Sequence, residues 1–132
     1  MKTIKILLLF IIVPSIISCS GYGKKLEFNK TEVFYTSDVT KEEAQKLGAY
    51  LVRSEFADGI EKSVQLAKNK TSNNYIFRMV TSDEAANNEI YETIFRLMAQ
   101  QLSDSVFNGK PVDFHVCDNT FKTLKELNFS TE

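Results

Sequence analysis

The pattern of apolar and polar positions over residues 26–59 predicts strands followed by a helix. Period-two alternation over residues 26–36, broken by a polar turn, is typical of a strand or hairpin. Thr40 and Glu43 have the spacing of a capping box, in which a hydroxyl and a carboxylate satisfy backbone donors of the first helical turn. We expect this helix to end at the glycine of residues 58–59 and to use Gly48 for close approach to a sheet.

The second half of the chain predicts three more strands and a long helix. Alternation predicts strands near residues 63–67, 75–80 and 112–117. Residues 81–88 are polar and acidic, which favours a surface loop leading to a helix capped at Asn87 or Asn88. The apolar residues at helical spacing, which we expect to be buried, are Ile90, Ile94, Leu97, Met98, Leu102 and Val106. Residues 121–127 fit either a last helical turn or a returning strand.

From Glu32 onwards the predicted order is strand, helix, strand, strand, helix, strand. This order predicts an α+β fold, a mainly antiparallel sheet with two helices on one face, in a ferredoxin-like β-α-β-β-α-β arrangement with extra edge strands. The face covered by helices is expected to hold Val64, Leu66, Tyr75, Phe77, Met79, Val112, Phe114 and Val116. The opposite face is expected to carry Gln65, Arg78, Asp113, His115 and Cys117.

The start of the chain has the pattern of a secretory signal. Lys2 and Lys5 precede an unbroken apolar run over residues 6–13, which Pro14 interrupts. A membrane-spanning helix needs about 20 apolar residues, so this run is too short for a stable span. The pattern favours cleavage, and residues 1–18 are therefore interpreted as a signal peptide.

The end of this segment, Ile16-Ile17-Ser18-Cys19, resembles the bacterial lipoprotein signal. In that family the cysteine thiol is diacylglycerylated, the leader is removed before it, and the new amino group is acylated. The resemblance implies that Cys19 becomes the first mature residue and anchors the protein to a lipid bilayer. Ser20 stands where the inner-membrane retention signal of the family has Asp, so the outer membrane is favoured in a Gram-negative host.

Length and charge limit the number of domains and the kinds of partner that the chain can have. The chain has 132 residues, which suits one domain over residues 26–132 after a lipidated cysteine and short tether over residues 19–25. Loss of residues 1–18 removes two lysines and no acidic residue, so the formal charge falls from −1 to −3. Without a cluster of basic residues, nucleic acid is not expected as a partner.

Candidate chemistry is confined to one predicted strand. Asp113, His115 and Cys117 are possible metal ligands on the same face, but alternate strand residues stand about 6.6 Å apart, too far for one tetrahedral ion without further ligands. We interpret this face primarily as a solvated surface with a half-buried thiol. No catalytic residue and no cofactor are predicted.

The body of the chain also resembles an uncharacterised bacterial domain, for which we know no activity. The resemblance extends over most of the mature chain and is carried by residues 39–44, 47–52, 58–59, 62–66, 106–112 and 117–125. It supplies no catalytic residue. It favours a shared module used in membrane-associated contexts.

The sequence therefore predicts a lipid-anchored domain of the cell envelope, outside the cytoplasm, that acts as a small binding or accessory module. The predicted partner is the lipid bilayer, through the acyl chains on Cys19, and an additional protein partner of unknown identity is compatible with this prediction. The expected contact surface is the exposed sheet face or residues 81–88. The alternative is a small metal- or thiol-dependent enzyme using His115 and Cys117. A third possibility is purely structural attachment between membrane and wall.

Overall fold

The computed structural model describes residues 21–129, so the predicted signal peptide and Cys19 lie outside the described residues. In this range the elements are β1 (Lys24–Phe28), β2 (Thr31–Tyr35), α1 (Lys41–Arg53), β3 (Lys62–Lys68), β4 (Tyr75–Val80), α2 (Asp83–Ala86), α3 (Glu89–Ser105), β5 (Val112–Cys117) and β6 (Thr123–Leu127). Across residues 21–129, no helix has both the length and the hydropathy to span a membrane.

The six strands form one sheet in chain order, β1-β2-β3-β4-β5-β6. Three neighbouring pairs are antiparallel, whereas β2 with β3 and β4 with β5 are parallel. The α+β class is thus confirmed, but the sheet is mixed and does not have the ferredoxin-like order. In that order a further strand lies between the two strands that a helix connects, whereas here α1 and α3 each connect strands that pair directly.

The predicted assignment of residues to the two sheet faces is confirmed by the strand register. Val64, Met79 and Val116 stand opposite one another across three strands, and Leu66, Phe77 and Phe114 form the next such row. These side chains, with the exception of partly buried Met79, are fully buried beneath the helices. Both helices belong to the same apolar core, because Leu47 and Leu51 of α1 and Phe95 and Leu102 of α3 are all members of it.

Helix α1 begins as the capping box predicts. The Glu43 backbone N–H donates to Thr40 Oγ1 at 3.1 Å, and the Thr40 N–H donates to Glu43 Oε1 at 2.8 Å. The helix ends at Arg53, earlier than the glycine suggested, and an irregular loop completes the connection to β3. Gly48 does allow close approach, since a Cβ there would overlap the ring of Phe28 in β1.

A partly buried hydrogen bond joins α1 to the sheet. The Tyr75 hydroxyl donates to Glu43 Oε2, and Lys68 Nζ lies 3.5 Å from the same oxygen. Burial and the Glu43 carboxylate raise the pKa of Tyr75 to about 12. Burial alone would raise the pKa of Glu43, but the hydrogen bonds it accepts and the charge of Lys68 lower it overall. The phenol therefore stays protonated and donating over the physiological pH range.

The segment predicted as a surface loop contains the short helix α2, which Ser82 caps. Its Ala85 and Ala86 side chains are buried, so the segment packs against the core rather than projecting from it. Asn88 then caps α3 through its side-chain oxygen, as predicted. The ambiguity over residues 121–127 is resolved in favour of a strand, because β6 pairs antiparallel with β5.

The predicted buried face of α3 is wrong in part. Leu102 and Val106 are buried as expected, but Ile90, Ile94 and Leu97 are 72%, 44% and 59% exposed. The residues that pack inward in their place include Phe95, Ala99 and Ser103. Phe95 stacks on Phe114 of the sheet with ring centroids 4.8 Å apart, which sets the rotation of the helix about its axis.

Candidate functional site

The sheet face opposite the helices carries all five of the polar residues predicted for it. Gln65, Arg78 and His115 stand opposite one another on β3, β4 and β5, and Asp113 and Cys117 lie on the same face of β5. The face is not the solvated surface that we expected. Gln65 and Asp113 are buried and Cys117 is 0% exposed, so the thiol is fully rather than half buried.

The three candidate metal ligands are engaged separately. Asp113 Oδ1 accepts hydrogen bonds from the Phe129 backbone N–H at 2.8 Å and from the Asn74 side chain at 3.4 Å. His115 Nε2 lies 3.9 Å from Glu126 Oε1. Between residues 21 and 129, no group of three or more His, Cys, Asp or Glu side chains is placed to hold a metal ion. Asp113 instead links the Phe129 backbone, after β6, to the β3–β4 loop.

His115 and Cys117 do not form a nucleophile and base pair. The contact between them is a 3.8 Å hydrogen bond from Cys117 Sγ to the His115 backbone carbonyl, which leaves the imidazole uninvolved. Burial raises the pKa of the Cys117 thiol, an effect that the Arg78 guanidinium opposes only in part. Burial also lowers the pKa of His115. A protonated, enclosed thiol is a poor nucleophile, so nothing in this geometry favours thiol chemistry.

Arg78 is the centre of the polar network on this face. Its Nη1 donates to Gln65 Oε1 at 2.8 Å, and its Nη2 donates to the Phe121 carbonyl and to Thr123 Oγ1, both at 2.7 Å. Its Nε is buried without a hydrogen-bond partner among the described residues. The guanidinium thus holds β3, β4 and the segment before β6 together through neutral acceptors.

Three aromatic rings cover this network. Tyr22, Phe34 and Phe121 contact one another edge to face, with centroids 5.5 Å apart for Tyr22 and Phe34, 4.9 Å for Tyr22 and Phe121, and 5.7 Å for Phe34 and Phe121. Such edge-to-face pairs are each worth about 0.5–1.5 kcal/mol beyond the burial of their area. The rings lie on the same sheet face as Gln65 and Arg78, because Gln65 donates to the Tyr22 carbonyl and Arg78 donates to the Phe121 carbonyl.

The β5–β6 loop is built to hold Phe121 in place. Asp118 Oδ1 accepts from the Thr120 hydroxyl at 2.7 Å and from the Lys122 and Thr120 N–H groups, both at 2.9 Å, and these bonds lower the pKa of Asp118. Phe121 has a φ of +60°, an unusual conformation for a bulky residue, which the loop and Arg78 stabilise together. The ring is therefore directed back over the sheet instead of into solvent.

Tyr22 reaches the sheet through a turn at Gly23. Gly23 has a φ of +98°, and a Cβ there would overlap the carbonyl oxygen of Tyr35. The Gln65 side chain donates to the Tyr22 carbonyl at 2.8 Å. We call residues 21–23 the N-terminal strap. They lie within the segment predicted as a flexible tether, and β1 begins at Lys24, two residues before the predicted start of the domain.

A second candidate surface lies on the helix layer. Ile90, Tyr91, Ile94 and Leu97 form the α3 apolar surface, and each is at least 44% exposed. The segment that carries this surface is acidic, because residues 83–105 contain five acidic residues and one basic residue, Arg96; Lys125 of β6 adds a second positive charge, 2.8 Å from Glu92. Arg96 is itself paired with Glu92 at 3.2 Å. Contiguous exposed apolar side chains with a charged border are typical of a protein interaction site.

Sequence reasoning missed both the strap and the α3 apolar surface. An aromatic residue between two glycines, as in residues 21–23, is a signal that the segment is more than a linker, because a flexible linker needs no aromatic ring. The α3 apolar surface could have been found from the number of apolar residues in the helix, because there are more of them than one buried face can hold.

The chain matches the AF_1994_N family, described as a family N-terminal domain, over residues 25–128. It belongs to this family. A relative described as "Uncharacterized protein" from Archaeoglobus fulgidus is 28% identical over 135 residues, an alignment that covers 97% of this chain and 56% of the relative. The chain thus spans about half the length of that relative. No solved structure matches the chain.

Proposed function

We propose that the protein is a lipid-anchored domain of the cell envelope that acts as a binding or accessory module. The attachment is the Cys19 thiol, and the domain lies outside the cytoplasm, on the outer membrane in a Gram-negative host. The family match supports an uncharacterised small module, and the sequence over residues 16–19 supports the anchor. Two or three acyl chains on one residue give lasting attachment, at about 0.8 kcal/mol for each buried CH₂.

The observation that carries the binding function is the α3 apolar surface. Leu97 and its neighbours are large apolar side chains that contribute little to the fold, since Phe95 and Leu102 form the packed side of the same helix. The acidic side chains of residues 83–105 are complementary in charge to a basic border on a partner. We therefore expect the partner to be a protein with an apolar patch bordered by Lys and Arg.

The two cysteines provide a matched test of the anchor. Cys19→Ser should move the natively expressed protein from the membrane fraction to the soluble fraction, because it removes the lipid attachment. Cys117→Ala alters the buried cysteine and should leave the fractionation unchanged. Membrane association of the Cys19→Ser protein equal to that of the wild type would contradict the proposed attachment.

The partner surface is tested by photo-crosslinking in intact cells. A photoreactive residue at Leu97 should give one dominant adduct, and Ile94→Glu should abolish it. The same residue at the exposed Ala49 of α1 is the control and should give none. The crosslinked peptide should carry Lys or Arg beside apolar residues; an acidic peptide, or equal crosslinking from both positions, would contradict the proposed surface.

A further inference from the structure

The N-terminal strap has a consequence for how the domain lies on the membrane. We propose, on the basis of the proposed lipid anchor, that the strap turns the sheet face opposite the helices towards the headgroup layer of the bilayer. The helix layer, with the α3 apolar surface, then faces away from the membrane.

The strap is fixed to that sheet face by several independent contacts. The Tyr22 ring lies against Phe34 and Phe121, and the Tyr22 carbonyl accepts from Gln65. Gly23 makes the turn that brings Tyr22 over the sheet, in a position where a Cβ would overlap the backbone of β2. The point at which the chain leaves the domain is therefore on the face opposite the helices.

Chain length then limits where the lipid can be. Three residues lead from Cys19 to Tyr22, and even a fully extended chain of that length covers only about 10 Å. The helices lie on the other side of the sheet, and a helix with its side chains is about 10 Å thick. An anchor on Cys19 cannot pass around the edge of the sheet and reach the outer surface of α1 or α3.

The charges of this face suit a zwitterionic headgroup layer. Lys25 pairs with Glu32 at 2.9 Å, so exposed charges of both signs lie side by side on this face. No basic cluster draws the face onto anionic lipid, and a mature formal charge of −3 opposes such attraction. The short attachment, rather than electrostatic attraction, sets the orientation.

A single-tryptophan experiment tests the orientation directly, because the chain contains no Trp. Glu27→Trp places the probe on the exposed part of β1, on the same face as the strap, and Ala49→Trp places it on the outer side of α1. Each lipidated protein is reconstituted into phosphatidylcholine vesicles that carry a nitroxide on the headgroup. The Glu27→Trp protein should lose more fluorescence than the Ala49→Trp protein.

Two glycine variants show whether the strap causes the difference. Gly23→Ala, added to each Trp protein, should release the strap and bring the two quenching values together. Gly21→Ala is the matched control, because a Cβ at Gly21 meets nothing within 4 Å, and it should preserve the difference. Circular dichroism checks that each variant remains folded.

The failures of the anchor and of the orientation are distinguishable. Intact mass shows whether each protein carries the lipid, and a chain without it overturns the anchor and the orientation together. If the lipid is present but both probes are quenched equally, or Ala49→Trp is quenched more, the orientation is overturned while the anchor stands. A difference that survives Gly23→Ala overturns the role of the strap.

Discussion

Replacing Gly23 by alanine should weaken the fold by releasing the strap. The new Cβ would overlap the Tyr35 carbonyl, and the φ of +98° is also unfavourable for alanine, so the docked turn cannot persist. Release of the strap separates the Tyr22 ring from Phe34 and Phe121 and breaks the hydrogen bond that Gln65 donates to the Tyr22 carbonyl. Together these interactions predict a fall of about 2–4 kcal/mol in the free energy of unfolding.

Gly21→Ala separates this effect from the general effect of alanine at positive φ. Gly21 has a φ of +80° but faces open space, so its substitution should cost only the general penalty of alanine at positive φ, about 1–2 kcal/mol. Urea unfolding of Cys19→Ser protein, followed by circular dichroism, measures both values by linear extrapolation. Equal losses of stability for the two alanine variants would refute the reasoning, because they would show that docking of the strap contributes nothing to stability.

Further predictions concern α3, the hydrogen bond between Tyr75 and Glu43, and the Cys117 thiol. In urea titrations, Leu97→Glu should change the free energy of unfolding by less than about 0.5 kcal/mol, because Leu97 is exposed. Phe95→Ala should lower the free energy of unfolding by about 3–5 kcal/mol, because Phe95 is buried. Similar losses of stability in the two variants would contradict the assigned rotation of α3. With its pKa raised from 10.0 to about 12, Tyr75 should contribute stability that is complete below pH 10 and lost as the pH rises through 12. The free energy of unfolding should fall by about 2–3 kcal/mol over this pH range. Urea titrations at increasing pH should show this fall in the wild type and not in the Tyr75→Phe variant. The same fall in both proteins would contradict the contact between Tyr75 and Glu43. Cys117 should react with a thiol reagent slowly in the native protein and rapidly in denaturant, and rapid native labelling would show that the thiol is not enclosed.

The two faces of the sheet were predictable because side chains along a strand alternate with a period of two. Once Phe77 and Phe114 are taken as buried, the side chains of Arg78 and His115 must lie on the other face. The capping box of α1 was predictable for a similar reason, since it depends only on residues three apart. Local rules of this kind need no knowledge of tertiary contacts.

The order of strands was not predictable, because the same succession of elements is compatible with both arrangements. After α1, β3 can pair directly with β2, or a later strand can be inserted between the two. The choice depends on which edges of β2 and β3 the other strands occupy. Here the β1–β2 and β5–β6 hairpins extend the sheet on its outer sides, and each helix crosses between adjacent strands. These are long-range pairings that period and propensity do not specify.

The rotation of α3 about its axis was mispredicted because the helix has two apolar sides, and hydrophobicity alone does not show which of them is buried. Ile90, Ile94 and Leu97 are more hydrophobic than Ala99 and Ser103 of the buried side, so size and apolarity favoured the wrong face. Close packing decides the outcome, since small residues let the helix approach the sheet while an aromatic ring stacks on it. An excess of apolar residues on a surface helix is the pattern from which we propose an interaction surface.

The burial of side chains on the sheet face opposite the helices could not be predicted from the sequence either. The chemistry of Asp113, His115 and Cys117 was evident from their identity. The burial of Asp113 and Cys117, and the packing of the Tyr22 and Phe121 rings, depend instead on contacts between residues that are distant in the sequence. Only the folded chain brings these rings together over Arg78 and gives the thiol its enclosed surroundings.

The intact mass of the natively expressed protein tests the proposed lipid anchor most directly. We predict a chain that begins at Cys19, lacks residues 1–18 and carries the added mass of a diacylglyceryl group and an acyl chain, with fragmentation placing both on that residue. A chain cleaved at the same position but without added lipid, or one that keeps its first 18 residues, would contradict the account.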